Sequence, residues 1–193
     1  MDSFEIIDKM IRNLPFYETG GITATGGEPL LQLEFLTELF SIAKEKGIHT
    51  TLDTSGILFS HDKVKDFDRL MEVCDLVLLD IKHMNNHEHV HLTGASNKNV
   101  FDFMNYLRDK KKPVWVRHVV VPGITYNDEN LKALGSYIKK FENVEKVEVL
   151  PYHTMGAVKY EALGIDYPLK AISPLSKEDS HKALEIINSA RFN

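Results

Sequence analysis

The sequence predicts an α/β fold: a partial, open TIM-type (β/α) barrel of about five parallel strands, lacking its first β/α unit. Three observations carry this reading. Short β-branched runs alternate with longer amphipathic runs across the 193 residues. One of the short runs, Asp75–Asp80 (DLVLLD), is almost continuously apolar, as befits a strand buried on both faces. The chain also opens on an amphipathic segment, MDSFEIIDKM, where a β/α unit would open on a strand. Five strands are too few to close an eight-stranded barrel, and a doubly wound sheet is the alternative.

Gly21–Thr25 is short and strand-like and leads into a Gly-Gly turn. In Leu31–Lys46, Leu33, Leu36, Leu39, Phe40 and Ala43 fall on one helix face, and Gly47 ends the helix. Ile48–Asp53 reads as a strand, His61–Val73 as a helix and Asp75–Asp80 as the next strand. Asn99–Lys112 is helical and stops at Pro113, before the strongly β-branched run Val114–Val121. Asn127–Phe141 is the following helix, and Val144–Leu150 a strand ended by Pro151. After an irregular stretch, Ser176 caps a last helix that runs to about Ala190. Repeats and linkers are absent, so residues 1–193 read as a single truncated domain.

Charge and composition narrow the function. Net charge is −5 and no basic stripe is present, which argues against a nucleic-acid partner. The one cationic run, Lys110-Lys111-Lys112, reads as a solvated helix end. No apolar segment approaches the roughly 18 residues needed to span a bilayer. A single cysteine, Cys74, excludes a disulfide framework and fits a cytoplasmic protein.

The polar residues fall at strand ends: Gly26-Gly27-Glu28, Asp53-Thr54-Ser55, Asp80-Ile81-Lys82, Arg117 late in its strand, and His153 after Leu150-Pro151-Tyr152. Parallel α/β architectures bind ligands at the carboxyl ends of their strands. Carboxylates, a lysine, an arginine, a histidine and bare glycine backbone suit a zwitterionic, ribose-bearing ligand.

TATGGEPLLQ, TLDTSG, LVLLDIK, VWVRHVVVPG and VEVLPYH, in this order and spacing, resemble the pyruvate formate-lyase activating enzymes, a radical S-adenosylmethionine (SAM) family. The resemblance runs from about Ser3 to Ala190 and implies a partial (β/α)6 barrel. It implies a four-iron, four-sulfur cluster on a C-x3-C-x2-C loop and reductive cleavage of SAM to a 5′-deoxyadenosyl radical. That radical takes hydrogen from a glycine of a partner glycyl-radical enzyme, with flavodoxin or ferredoxin as reductant. Carried over, Gly26, Gly27 and Glu28 would meet the methionine amine, and Lys82, beside Asp80 and Ile81, the carboxylate. Asp53, Thr54, Asp80 and the backbone at Leu78 would hold a monovalent cation. Arg117 and Val119 would wall the ribose and adenine, and Leu150 and His153 the adenosine.

The cluster motif is missing. Cys74 sits at a helix-to-strand junction and reads as a buried small hydrophobe, and one thiolate cannot hold a cluster. The chain is therefore expected to be a fragment, inactive alone, with the cluster confined to a full-length protein. Two other readings stay open: a barrel lyase using Lys82 as Schiff-base nucleophile, and a partner- or nucleoside-binding module. His83, His87 and His91 share helical spacing, but they read as an exposed short helix rather than a metal site, with His83 and His89 near the partner-binding face. Trp115 and the methionines Met71, Met84, Met104 and Met155 read as packing residues.

Overall fold

A computed structural model describes residues 2–12 and 20–193. Five strands form one sheet in the order β1-β2-β3-β4-β5: β1 Gly21–Ala24, β2 His49–Thr54, β3 Leu76–Asp80, β4 Val114–Val120 and β5 Val144–Pro151. Every neighbouring pair is parallel. Right-handed crossovers that always step the same way stack their helices on one face of the sheet. A doubly wound sheet would reverse direction and cover both faces, so the open (β/α) arrangement is the one formed. The strand holding Ile22 and Thr23 is an edge of that sheet.

The helices are α1 Ser3–Ile11, α2 Leu33–Glu45, α3 Val64–Val73, α4 Asn86–Thr93, α5 Lys98–Asp109, α6 Asp128–Ile138, α7 Ala157–Ala162 and α8 Lys177–Phe192. Side chains alternate along each strand, which assigns each residue to a face. Leu52, Val77, Leu79, Val114, Val116 and Val120 face the helices and are fully buried. They meet Phe40 of α2, Leu70 of α3, Phe103 of α5 and Leu134 of α6 in one core. Each such side chain contributes about 1.5–3 kcal/mol on burial. Phe59 packs 5.0 Å from Phe67 and 5.3 Å from Phe103, tying α3 to α5. Gly135 lets α8 approach α6, since a Cβ there would lie 2.3 Å from the Ile187 carbonyl.

The element ends follow local chemistry. Ser176 caps α8 in a capping box with Asp179, and Gly47 takes φ 72° beyond α2. Helix α5 stops at Asp109 rather than Lys112, because Lys111 turns to φ 53°. The lysine run is therefore more than a solvated helix end. Lys110 pairs with Asp68, and Lys112 Nζ donates to the Cys74 carbonyl at 2.5 Å. Helix α6 stops at Ile138, short of Phe141. The stretch after Pro151 carries a 3-10 turn, Thr154–Gly156, and then α7. Met155 there is exposed, unlike the buried Met71 and Met104. No helix among the described residues is long and apolar enough to cross a membrane.

Candidate functional site

The face opposite the helices carries the polar residues. Parallel register sets Asp53 beside Leu78, Asp80 beside Arg117, Arg117 beside Glu148, and Val119 beside Leu150. Arg117 is the hub of this layer. Its Nη1 donates to Asp53 Oδ2 at 2.6 Å, reaching over β3 to β2. Asp53 Oδ2 also accepts from Thr25 Oγ1 at 3.0 Å. On the other side, Arg117 Nε lies 3.9 Å from Glu148 Oε2, and this buried nitrogen has no hydrogen-bond partner among the described residues. Burial works against the Arg117 charge. The hydrogen bond to Asp53 and the charges of Asp53, Asp80 and Glu148 outweigh it, so the guanidinium pKa is raised.

Two further ion pairs complete the layer. Lys82 Nζ donates to Asp80 Oδ2 at 2.8 Å, and Lys146 Nζ to Glu148 Oε1 at 2.6 Å. Lys146 also lies 4.3 Å over the Trp115 ring. Trp115 therefore belongs to the open face, not to the helix-covered core. Leu78, Val119 and Leu150 share that face and are half-buried. Beneath the layer, His118 Nδ1 donates to the Ile81 carbonyl at 2.7 Å. Asn130 bonds His118 Nε2 at 3.2 Å and accepts from the Met84 amide at 3.1 Å. This buried network fixes the backbone on both sides of Lys82. Burial keeps the His118 pKa below its ordinary value, against the opposing pull of the Ile81 carbonyl.

The Gly-Gly loop is tied to the same rim. Glu28 accepts from Thr54 Oγ1 at 2.5 Å, Ser55 Oγ at 2.5 Å, the Ser55 amide at 3.1 Å and the Leu30 amide at 3.2 Å. Gly26 has φ 141°, and no atom lies within 4 Å of where a Cβ would sit on Gly26 or Gly27. The loop offers open backbone to the rim while its carboxylate is turned to β2.

Asp53, Asp80, Lys82 and Arg117 thus come together, with Gly26 and Gly27 joined to them through Thr25–Asp53 and Glu28–Thr54. Three residues expected at the ligand turn their side chains away from the rim. Glu28 is spent on the loop. Thr54 is buried on the helix side, and its hydroxyl also accepts from the Gly56 amide at 3.0 Å. Ile81 is buried on that side too. What these residues can show the rim is backbone. His153 is exposed and makes no side-chain hydrogen bond among the described residues.

The histidine reading also changes. His83 precedes α4 and is buried, its Nδ1 accepting from the Asn85 amide at 3.1 Å, so it shares no helical face with His87 and His91. His89 is buried too and donates from Nδ1 to the Ala95 carbonyl at 2.7 Å, which makes it a structural residue. Thr25, Lys146 and Glu148 were not singled out in the sequence, although the alternation of Lys146, Glu148 and Leu150 on one face of β5 was a usable signal.

Residues 1–134 match the Radical SAM superfamily. The pyruvate formate-lyase-activating enzyme of Streptococcus mutans is 46% identical over 191 residues, covering 97% of this chain and 73% of that protein. The enzyme of the same name from Listeria monocytogenes is 44% identical, covering 97% and 77%. The chain belongs to the pyruvate formate-lyase-activating enzyme family of the radical SAM superfamily. Its fold matches a crystallised domain of pyruvate-formate lyase-activating enzyme from Bacteroides vulgatus, with a TM-score of 0.71 at 23% identity, over 89% of this chain and 94% of that one. It also matches a radical SAM methyltransferase from Sphaerobacter thermophilus, with a TM-score of 0.69 at 16% identity, over 98% and 55%. Both are partial barrels of the same α/β type.

Membership in this family implies SAM and a four-iron cluster. The rim fits SAM: its open glycine backbone and mixed charges match an amino-acid zwitterion. The residues present do not fit the cluster. Cys74 is the only cysteine of the sequence, it is buried, and its thiol donates to the Leu76 carbonyl at 3.3 Å. Burial pushes that thiol up to about 12, far from the thiolate that iron requires.

Proposed function

We propose that this chain is the SAM-binding part of a glycyl-radical-enzyme activase, with pyruvate formate-lyase as the partner. The observation that carries this reading is the charge layer of the rim. Asp53, Asp80 and Glu148 stand against Lys82, Arg117 and Lys146, with open Gly-Gly backbone beside them. A balanced layer receives a zwitterion by exchanging partners, without stranding a charge in a half-dry cleft. The ammonium of the methionine end takes Asp53 and the carbonyls of Gly26 and Gly27. The carboxylate takes Lys82 and Arg117. Val119, Leu150 and His153 hold the nucleoside. Asp53, Asp80 and the backbone of Thr54 and Leu78 would hold a monovalent cation, which would supply positive charge beside the ligand's carboxylate.

In this family bound SAM supplies a 5′-deoxyadenosyl radical that takes a hydrogen atom from a glycine of the partner. The cluster that reduces SAM is held by cysteines that these 193 residues do not contain, and flavodoxin or ferredoxin serves that longer form. The chain by itself binds and orients SAM and does not cleave it. A Schiff-base role for Lys82 has no support, since its Nζ is engaged by the Asp80 carboxylate at 2.8 Å.

The test is anaerobic reconstitution with iron and sulfide, then electron paramagnetic resonance and product analysis with dithionite and SAM. No stoichiometric cluster signal and no 5′-deoxyadenosine are expected from this chain. A form carrying the three-cysteine loop should gain both, with a glycyl radical on added partner. Cleavage by the 193-residue chain alone would overturn this assignment.

A further inference from the structure

Each carboxylate of the rim layer already has a cation: Asp53 has Arg117, Asp80 has Lys82, and Glu148 has Lys146. A zwitterion can enter only if one pair opens, and Arg117 is the cation equipped to change partners. Its Nε is buried with no hydrogen-bond partner among the described residues, which costs about 1–3 kcal/mol for a buried donor. A second carboxylate, Glu148, stands 3.9 Å from that nitrogen, about 0.7 Å beyond the usual hydrogen-bond range. Glu148 is held short of contact by Lys146, which grips Oε1 at 2.6 Å while resting on Trp115. Its Oε2 remains directed at Arg117.

We propose that Glu148 is the positioning residue for Arg117, a second seat that the guanidinium takes when an amino-acid ligand captures Asp53. In the free chain Arg117 is drawn to Asp53. When the ligand's ammonium takes that carboxylate, Nε closes on Glu148 Oε2, and the Nη edge released by Asp53 turns to the ligand's carboxylate. The planar fork of arginine allows both edges to be used at once; an ammonium does not. Two carboxylates thus trade one guanidinium, and the charge of the layer is unchanged. This inference rests on the SAM reading above and adds to it a residue that acts only through Arg117.

Because Glu148 governs the amino-acid end of the ligand, its loss should separate SAM from adenosine. Titration calorimetry on Glu148→Leu is expected to show SAM binding weakened about tenfold, the loss of one charge-assisted hydrogen bond, with adenosine binding unchanged. Unchanged adenosine binding also shows that the variant has folded. Glu148→Gln, which keeps an acceptor for Nε, should recover most of the SAM affinity. If the leucine variant does not fold, the native chain still reports through the 15N-labelled Arg117 Nε–H resonance, identified by its loss in Arg117→Lys. Its exchange with water should slow several-fold at SAM saturation and not at adenosine saturation. SAM binding with no change at this resonance, or equal weakening of SAM and adenosine in Glu148→Leu, would overturn the second seat while leaving the SAM site intact. Failure of the native chain to bind either ligand would overturn both.

Discussion

Arg117 Nη1 stands 2.6 Å from Asp53 Oδ2, so a β4 side chain reaches over β3 to neutralise a carboxylate on β2. One guanidinium ties β4 to β2 on the polar face of the sheet. Removing either partner leaves a charge whose side chain is only about a fifth exposed. Arg117→Leu should lower stability by about 2 kcal/mol, less than for a fully buried pair because water still reaches the site. Urea unfolding should show this as a lower midpoint at unchanged slope. Adding Asp53→Asn to Arg117→Leu should restore part of the loss, since the stranded carboxylate is then gone.

Glu28 fastens the Gly-Gly loop to the end of β2 through Thr54 and Ser55. Glu28→Ala should cost about 1–3 kcal/mol, because it leaves polar groups at Thr54 and Ser55 without their acceptor. It should also weaken SAM through the glycine carbonyls it no longer positions. Denaturation and SAM titration of the same preparation check both effects. Glu28→Gln, which keeps acceptor geometry, should show the smaller change in each.

Cys74 sets an alkaline limit. Burial raises its folded pKa to about 12 from an ordinary value of 9.0, so the unfolded chain loses the thiol proton first. Its contribution is complete below about pH 9 and falls as pH rises from there, by at most about 1.4 kcal/mol per pH unit. Stability measured between pH 8 and about pH 11 should fall more steeply for the native chain than for Cys74→Ala. In the folded chain the thiol should resist alkylation, and in urea it should react fully.

His118 sets an acid limit. Burial lowers its folded pKa, so the unfolded state takes up a proton that the folded state refuses. The stability it contributes is complete above about pH 6.5 and is lost as pH falls below that value, with His83 adding in the same sense. His118→Gln should flatten the acid limb of a stability–pH curve, while lowering the plateau by about 1–3 kcal/mol through the Ile81 carbonyl and Asn130. An unaltered acid limb would remove His118 from this role.

Much of the frame was legible because strand ends are punctuated chemically. Val114–Val121 and Val144–Leu150 are β-branched runs closed by proline, and the observed strands differ by one residue. The expected helix over His61–Val73 contains a short 3-10 turn before Val64, which periodicity does not distinguish. The rim was legible as a set of residue types but not as a set of pairs. Whether Arg117 meets Asp53 or Asp80 depends on register between strands far apart in sequence, and nothing local fixes that. At Asp53-Thr54, neighbours on a strand face opposite ways, so only Asp53 shows its side chain to the rim and Thr54 offers backbone. His89 and His118 are polar side chains whose burial depends on carbonyl acceptors, Ala95 and Ile81, that only the fold brings to them.

The most direct test of the rim as a SAM site is calorimetric titration of SAM into the 193-residue chain, run beside Gly27→Val and Arg117→Leu. Gly27 has empty space where a side chain would go, so valine should fold normally and fill the ligand's place. Saturable one-site binding near the millimolar level, about −4 kcal/mol, is expected for the native chain, with at least tenfold loss in each variant. No saturable binding by the native chain, or undiminished affinity in both variants, would contradict the assignment of this rim to SAM.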